Sequence, residues 1–270
     1  MGHVAPRAAG ACHPRNRRDD CARGVGYGGP AHCQSSRVPL AALSRRYFVP
    51  SLPALGRFTL PDAVARHLAV MRVRVGDPLI LFDGQDREAE VQVIRVDRRT
   101  TEVEIRALRN AVRVARVAIE LAVALPRGNR AEWLFEHATE VGVARIRPIA
   151  TGRSRSAGSE GRRARWERIV IAACEQCDRS RLPAVDDEIG LDELLSDPQL
   201  PPRRVVALPD AGIELGRAAE PTLLCIGPEG GFAPDEVAAL LATGFTAVSL
   251  GALTLRTETA ALVGLARLLA

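Results

Sequence analysis

From residue 118 onward the apolar positions fall into two kinds of run that alternate along the chain. A continuous apolar stretch at 119–125 and shorter runs at 144–150, 205–208, 223–226 and 247–250 have the length of buried strands. Residues 130–141, 162–177, 234–242 and 260–270 instead space their apolar side chains at helical intervals. Pro234 followed by Asp235 and Glu236 marks a helix start, because proline suits the first helical position and acids suit the first turn. Strands buried along their whole length and separated by helices predict a parallel sheet covered on both faces. Ligands in such sheets sit beyond the carboxyl ends of the strands.

Residues 45–117 have a different rhythm. Short runs at 73–75, 79–82, 89–96 and 102–107 are broken by G-D-P and D-G turns, and 89–96 alternates at period two. Residues 61–73 place Val64, Leu68 and Met71 on one side of a helix. This segment therefore predicts a small, mostly β barrel with a helix near its start. Residues 1–44, rich in Gly, Ala, Arg and Pro, show no apolar period and are expected to be disordered. Two motifs there fail their context. Gly24, Gly26 and Gly29 match G-x-G-x-x-G, but no strand precedes them and no helix follows. Cys12, Cys21 and Cys33, with His13 and His32, lack the close C-x-x-C pairs of a zinc module, so no metal site is expected.

Charge changes the picture only locally. The chain has a net charge of +5, yet residues 1–46 hold eight arginines against two acids, and the remainder balances 29 arginines against 30 acids. All of its cations are arginines. Within the body, residues 145–168 carry eight arginines and only Glu160 and Glu167, a candidate electrostatic footprint for RNA or else a solvated face. No apolar run approaches the roughly 18 residues of a membrane span, and no secretory core is present, so a soluble, cytoplasmic protein is expected.

The candidate chemistry lies near the carboxyl end. The sequences L-L-C-I-G-P-E-G-G-F at 223–232 and L-G-A-L-T-L-R-T-E-T-A at 250–260 share one construction, an apolar strand ending in a glycine bend that leads to a helix. Gly227, Gly230, Gly231 and Gly251 strip two strand ends, expected to be adjacent, down to peptide groups. These suit either a cofactor read by shape or a phosphate at a helix start. Arg256, Thr257, Glu258 and Thr259 crowd polar groups in front of an apolar final helix, more than a plain connector requires.

This pair of segments resembles the C-terminal signature of the ribosomal RNA small-subunit methyltransferase E family, in the SPOUT superfamily of S-adenosylmethionine-dependent RNA methyltransferases. The likeness continues through R-R-Y-F-V at 45–49, E-W-L-F-E-H-A-T-E-V-G-V at 132–143 and A-A-C-E-Q-C-D-R-S-R-L-P at 172–183, covering roughly residues 45–270. It departs at His137, where the family usually has lysine, and at Leu253, where arginine is common.

The resemblance implies a PUA-like RNA-binding domain at 45–117 and a knotted SPOUT methyltransferase domain at 118–270. It also implies a homodimer and methyl transfer from S-adenosylmethionine to uridine N3 of 16S ribosomal RNA. On that basis Leu208, Ile226, Gly227, Pro228, Glu229, Gly230, Gly231, Leu250, Gly251, Leu255, Thr257, Thr259 and Ala260 are expected to hold the cofactor. Arg256 is assigned to the uridine anion or a neighbouring phosphate. Glu258 is assigned to the departing proton, or alternatively to stabilising the start of the last helix. Arg45, Arg46, Arg153, Arg155 and Arg179 are the expected RNA contacts. Cys174 and Cys177 read as half-buried thiols, Trp133 and Trp166 as packing residues, and His67 and His137 as ordinary helix residues. Two other classes stay open on the residues alone: a nucleotide-binding α/β enzyme, although G-K-[ST] is missing, and a non-catalytic RNA-binding protein.

Overall fold

The computed structural model describes residues 45–97, 100–110, 115–154 and 161–270. The expected extension at 1–44, with its glycine and cysteine motifs, and Arg155 lie outside the described residues.

The period-two stretch becomes the wall of a small sheet. Its elements are β1 (Arg45–Phe48), β2 (Gly56–Thr59), α1 (Asp62–Val70), β3 (Pro78–Phe82), β4 (Arg87–Val96) and β5 (Thr101–Asn110). The strand order is β1-β3-β4-β5-β2, with β1 parallel to β3 and the other pairs antiparallel. Ala89, Val91 and Val93 of β4 and Val103 and Ile105 of β5 turn inward onto Leu68 of α1, Leu79 and Leu81. Among the described strands β1 and β2 remain edges, so the expected barrel is open in its hydrogen bonding. Residues 73–75, expected as a strand, are a loop. Closing bonds of α1 take up the backbone there, with Met71 N–H donating to His67 O and Val73 N–H to Leu68 O, and Arg72 adopts φ 52°.

The second sheet is parallel throughout. It contains β6 (Ile119–Val123), β7 (Arg145–Ala150), β8 (Ala184–Val185), β9 (Ile189–Gly190), β10 (Arg203–Ala207), β11 (Thr222–Ile226) and β12 (Thr246–Val248). The helices are α2 (Asn129–Val141), α3 (Arg162–Gln176), α4 (Leu191–Leu195), α5 (Pro234–Ala242) and α6 (Thr257–Leu269). Alternate residues of the central strands feed two cores. Leu121, Val123, Leu224 and Ile226 pack with α2, α3 and α6, whereas Ala122, Leu223 and Cys225 pack with α4 and α5. The continuous apolar runs follow from this two-sided burial.

Two sequence expectations are corrected here. The order β12-β10-β11-β6-β7-β8 puts β10 between the two glycine-ended strands, which are therefore not adjacent. The last helix starts at Thr257 rather than 260, since Arg256 at ψ 154° is its cap and Glu258 lies in its first turn. The two-residue strands β8 and β9 and the five-residue α4 are too short for any period to reveal.

A buried polar seam joins the two sheets. Arg46 Nη2 donates to Glu88 Oε1 at 3.1 Å and to the Ser180 hydroxyl at 2.6 Å, and that hydroxyl donates to the same carboxylate. The Phe48 N–H donates to Glu175 Oε1 at 3.0 Å, and Arg181 pairs with Asp86.

Candidate functional site

The first glycine bend folds on itself. Phe232 turns back over Gly227, where a Cβ would stand 2.9 Å from the ring. The Gly231 N–H closes a turn on Pro228 O at 2.8 Å, with Gly231 at φ 68°. Gly227 is thus required by the loop's own phenylalanine, while Glu229, Gly230 and Gly231 are exposed. Glu236, three residues into α5, accepts from the Ala233 N–H at 2.7 Å and with its other oxygen from the Gly152 N–H at 2.7 Å. Arg153 Nη1 donates to Gly230 O at 3.0 Å and Phe232 O at 3.3 Å. The turn after β7 is therefore bolted to the bend after β11. Arg153, expected on RNA, spends that nitrogen on the loop.

The second bend returns to the first. Gly251 at φ 131° takes the chain out of the sheet edge, and Ser249 braces it, its hydroxyl accepting from the Gly251 N–H at 3.2 Å. The chain then runs back past the end of β10, and the Thr257 hydroxyl donates to Gly227 O at 3.2 Å. A Cβ on Gly264 would stand 2.5 Å from Leu224 Cδ2, so only glycine lets α6 lie this close on β11. Leu208, whose N–H donates to Val248 O at 3.0 Å, sits between the two bends, and Leu250 and Leu255 are half-buried nearby. Thr259 and Arg256 are exposed, and Ala260 packs against the α2/α3 core.

Glu258 is 7% exposed. Its Oε1 lies 3.7 Å from Arg130 Nη1, and its buried Oε2 has no hydrogen-bond partner among the described residues. The same Arg130 nitrogen donates to Glu229 Oε1 at 2.5 Å. Arg130 follows Gly128, at φ 64°, in the first turn of α2. Sequence reading missed it; the G-N-R bend after a buried strand was the available signal.

The arginine-rich stretch is largely paired. Arg147, 3% exposed, donates to Glu120 at 2.7 Å and Asp197 at 2.8 Å. Arg145 pairs with Asp186, Arg163 with Glu167 and Asp187, and Arg165 with Glu132. Two further expected RNA contacts point inward. Arg46 lies in the seam described above. Arg179 donates to the Thr139 and Val143 carbonyls at 3.0 and 2.6 Å, a cation at the carboxyl end of α2, and burial pushes its pKa down. Arg45 is exposed. Trp166 stacks on Phe135 in the core, but Trp133, expected in packing, is 40% exposed and stacks on His137 with ring centroids 4.1 Å apart. Burial raises the Cys174 thiol to about 12 and also raises that of Cys177.

Comparison with known proteins agrees with this layout. An RNA methyltransferase domain family matches residues 113–269, and an RNA methyltransferase PUA domain family matches 60–106. A Mycobacterium bovis ribosomal RNA small subunit methyltransferase E is 34% identical over 81% of this chain and 88% of its own. The crystal structure of a Neisseria gonorrhoeae ribosomal RNA small subunit methyltransferase E, bound to S-adenosyl methionine, matches at TM-score 0.78 and 31% identity, over 83% of this chain and 95% of that one. A Legionella pneumophila methyltransferase structure containing the same cofactor matches at TM-score 0.76 and 30% identity, over 82% and 95% of the two chains. With a PUA-like sheet, a parallel sheet carrying glycine bends after β11 and β12, and these relatives along most of its length, the chain belongs to the ribosomal RNA small subunit methyltransferase E family of RNA methyltransferases.

Proposed function

We propose that the protein methylates N3 of a uridine in 16S ribosomal RNA, using S-adenosylmethionine, as a cytoplasmic homodimer. In this reading residues 45–117 bind RNA and 118–270 form a knotted catalytic domain. The observation that carries it is the Thr257–Gly227 hydrogen bond, which ties the segment following the second glycine bend back to the first bend, with Glu258 the next residue of α6. The residues fit the donor. Half-buried Leu208, Leu250 and Leu255 offer apolar surface to a nucleoside, the peptide groups of 227–231 and 250–255 offer donors and acceptors, and a carboxylate suits a sulfonium cation. When bound, S-adenosylmethionine supplies an electrophilic methyl group and leaves as a neutral thioether.

The protein's share is positioning and proton removal. Uridine N3 carries a proton and must lose it before its electron pair can form the new N–C bond. We assign that proton to Glu258, whose buried Oε2 has no hydrogen-bond partner among the described residues. Exposed Arg256 is available to the negative charge that develops on the uridine oxygens, and exposed Arg45 to RNA phosphates. The test is calorimetry with S-adenosylmethionine, followed by reverse transcription and mass mapping of 16S RNA from cells with and without the gene. Methylation at N3 blocks base pairing, so a gene-dependent stop at one uridine with a gain of one methyl supports the reading. RNA binding without donor binding, or an unchanged 16S map, overturns it.

A further inference from the structure

We infer that Arg130 is the positioning residue of the proton acceptor, holding Glu258 by one oxygen so that the other faces the reacting base. This rests on the role proposed for Glu258. A buried carboxylate with one oxygen lacking any partner is costly, by the same logic that makes lost hydrogen bonds in protein interiors expensive. Glu258 Oε2 is such an atom among the described residues, on a residue 7% exposed. Its Oε1 is steered by Arg130 Nη1 at 3.7 Å, yet that nitrogen makes its short contact, 2.5 Å, with Glu229 Oε1.

The asymmetry has a chemical consequence. An arginine in tight contact with the acceptor would neutralise it and hold it as an ion pair. Here the guanidinium's tight contact is with Glu229, on the first glycine bend, and the longer one is with Glu258. Glu258 on α6 keeps its place and remains able to take up a proton. The three groups together carry one net negative charge. When the uridine N3–H bond breaks and the proton moves to Glu258 Oε2, the triad becomes neutral, with Arg130 still balanced by Glu229. The electron pair left on N3 then forms the bond to the methyl carbon as the carbon–sulfur bond breaks. Arg130 also links α2, the first bend and α6, so acceptor geometry is coupled to the bend that is proposed to hold the donor.

The experiment is a double-substitution cycle on the full chain, using small subunits lacking the modification as acceptor and S-adenosylmethionine calorimetry as the second readout. Glu258→Gln is expected to lower single-turnover methylation about 100-fold or more, the range of a lost general base. Arg130→Met is expected to lower it roughly ten-fold, with donor affinity within about two-fold, and Arg130→Lys to recover most of that loss. In the Glu258→Gln background, Arg130→Met should cost less than about three-fold more, because the residue through which it acts is already disabled. Losses that multiply would show Arg130 acting independently and overturn the inference, leaving the Glu258 role intact. A collapse of donor affinity in Arg130→Met would make it a donor-binding residue and likewise overturn it. Unchanged turnover in Glu258→Gln would sink the acceptor role itself, and the inference with it.

Discussion

The Thr257 hydroxyl reaches the Gly227 carbonyl across 3.2 Å, joining the first turn of α6 to the bend after β11. The strands that lead into these two segments are not neighbours, since β10 lies between them. One side-chain hydrogen bond thus helps hold a site that the sheet's pairing does not bring together.

Removing that bond in Thr257→Val keeps the shape of the side chain and deletes the donor. A net loss of about 0.5–1.5 kcal/mol is expected, which reads as roughly a two- to thirteen-fold weaker affinity for S-adenosylmethionine by calorimetry. Unaltered affinity would mean that the two bends are held together by other contacts.

Arg153 distinguishes bracing from RNA contact. If its bonds to the Gly230 and Phe232 carbonyls are its main role, Arg153→Ala weakens donor binding several-fold and leaves the salt dependence of RNA binding as it was. A phosphate contact would give the opposite pattern, with donor affinity kept and the salt slope reduced by about one.

Glu88 ties stability to pH at the seam between the sheets. Burial raises its carboxyl's pKa, but the Ser180 hydroxyl and the Arg46 and Arg109 guanidiniums outweigh that and leave it below its ordinary value of 4.5. A carboxyl lowered on folding contributes stability that is fully present above the unfolded value and lost as pH falls through the folded one. Glu88→Gln should therefore melt below the wild type near neutrality. The gap in Tm should shrink as pH is taken from about 6 to about 3. A gap independent of pH would show that the seam does not depend on the charge.

Gly264→Ala tests close packing on β11. Its methyl would overlap Leu224, which is fully buried, so the residue or the helix must shift. A loss of about 1–3 kcal/mol is expected, seen as a Tm several degrees lower in a thermal melt. An unchanged Tm would mean that α6 moves outward at little cost.

The elements were legible wherever a period ran long enough. Strand β11 and helix α5 were bounded to within a residue by an unbroken apolar run and by Pro234 with its two following acids. The start of α6 was misplaced because Thr257 and Glu258 are as much at home in a first helical turn as in the polar connector that precedes one. The arginines misled for a related reason. A guanidinium serves equally to bind phosphate, cap a helix end or satisfy a buried carboxylate, and Arg46, Arg147 and Arg179 do the latter two.

The sequence by itself determined the two kinds of sheet, the glycine bends at strand ends and the family likeness, because periodicity and backbone permissiveness are local properties. Tertiary structure alone decided that β10 divides the two bends, that Phe232 packs over Gly227, and that Arg130 meets Glu229 and Glu258. Residues 130, 229 and 258 meet only once the strands are ordered and α6 is laid across them, and strand order is a global outcome of packing that no short window of the chain contains.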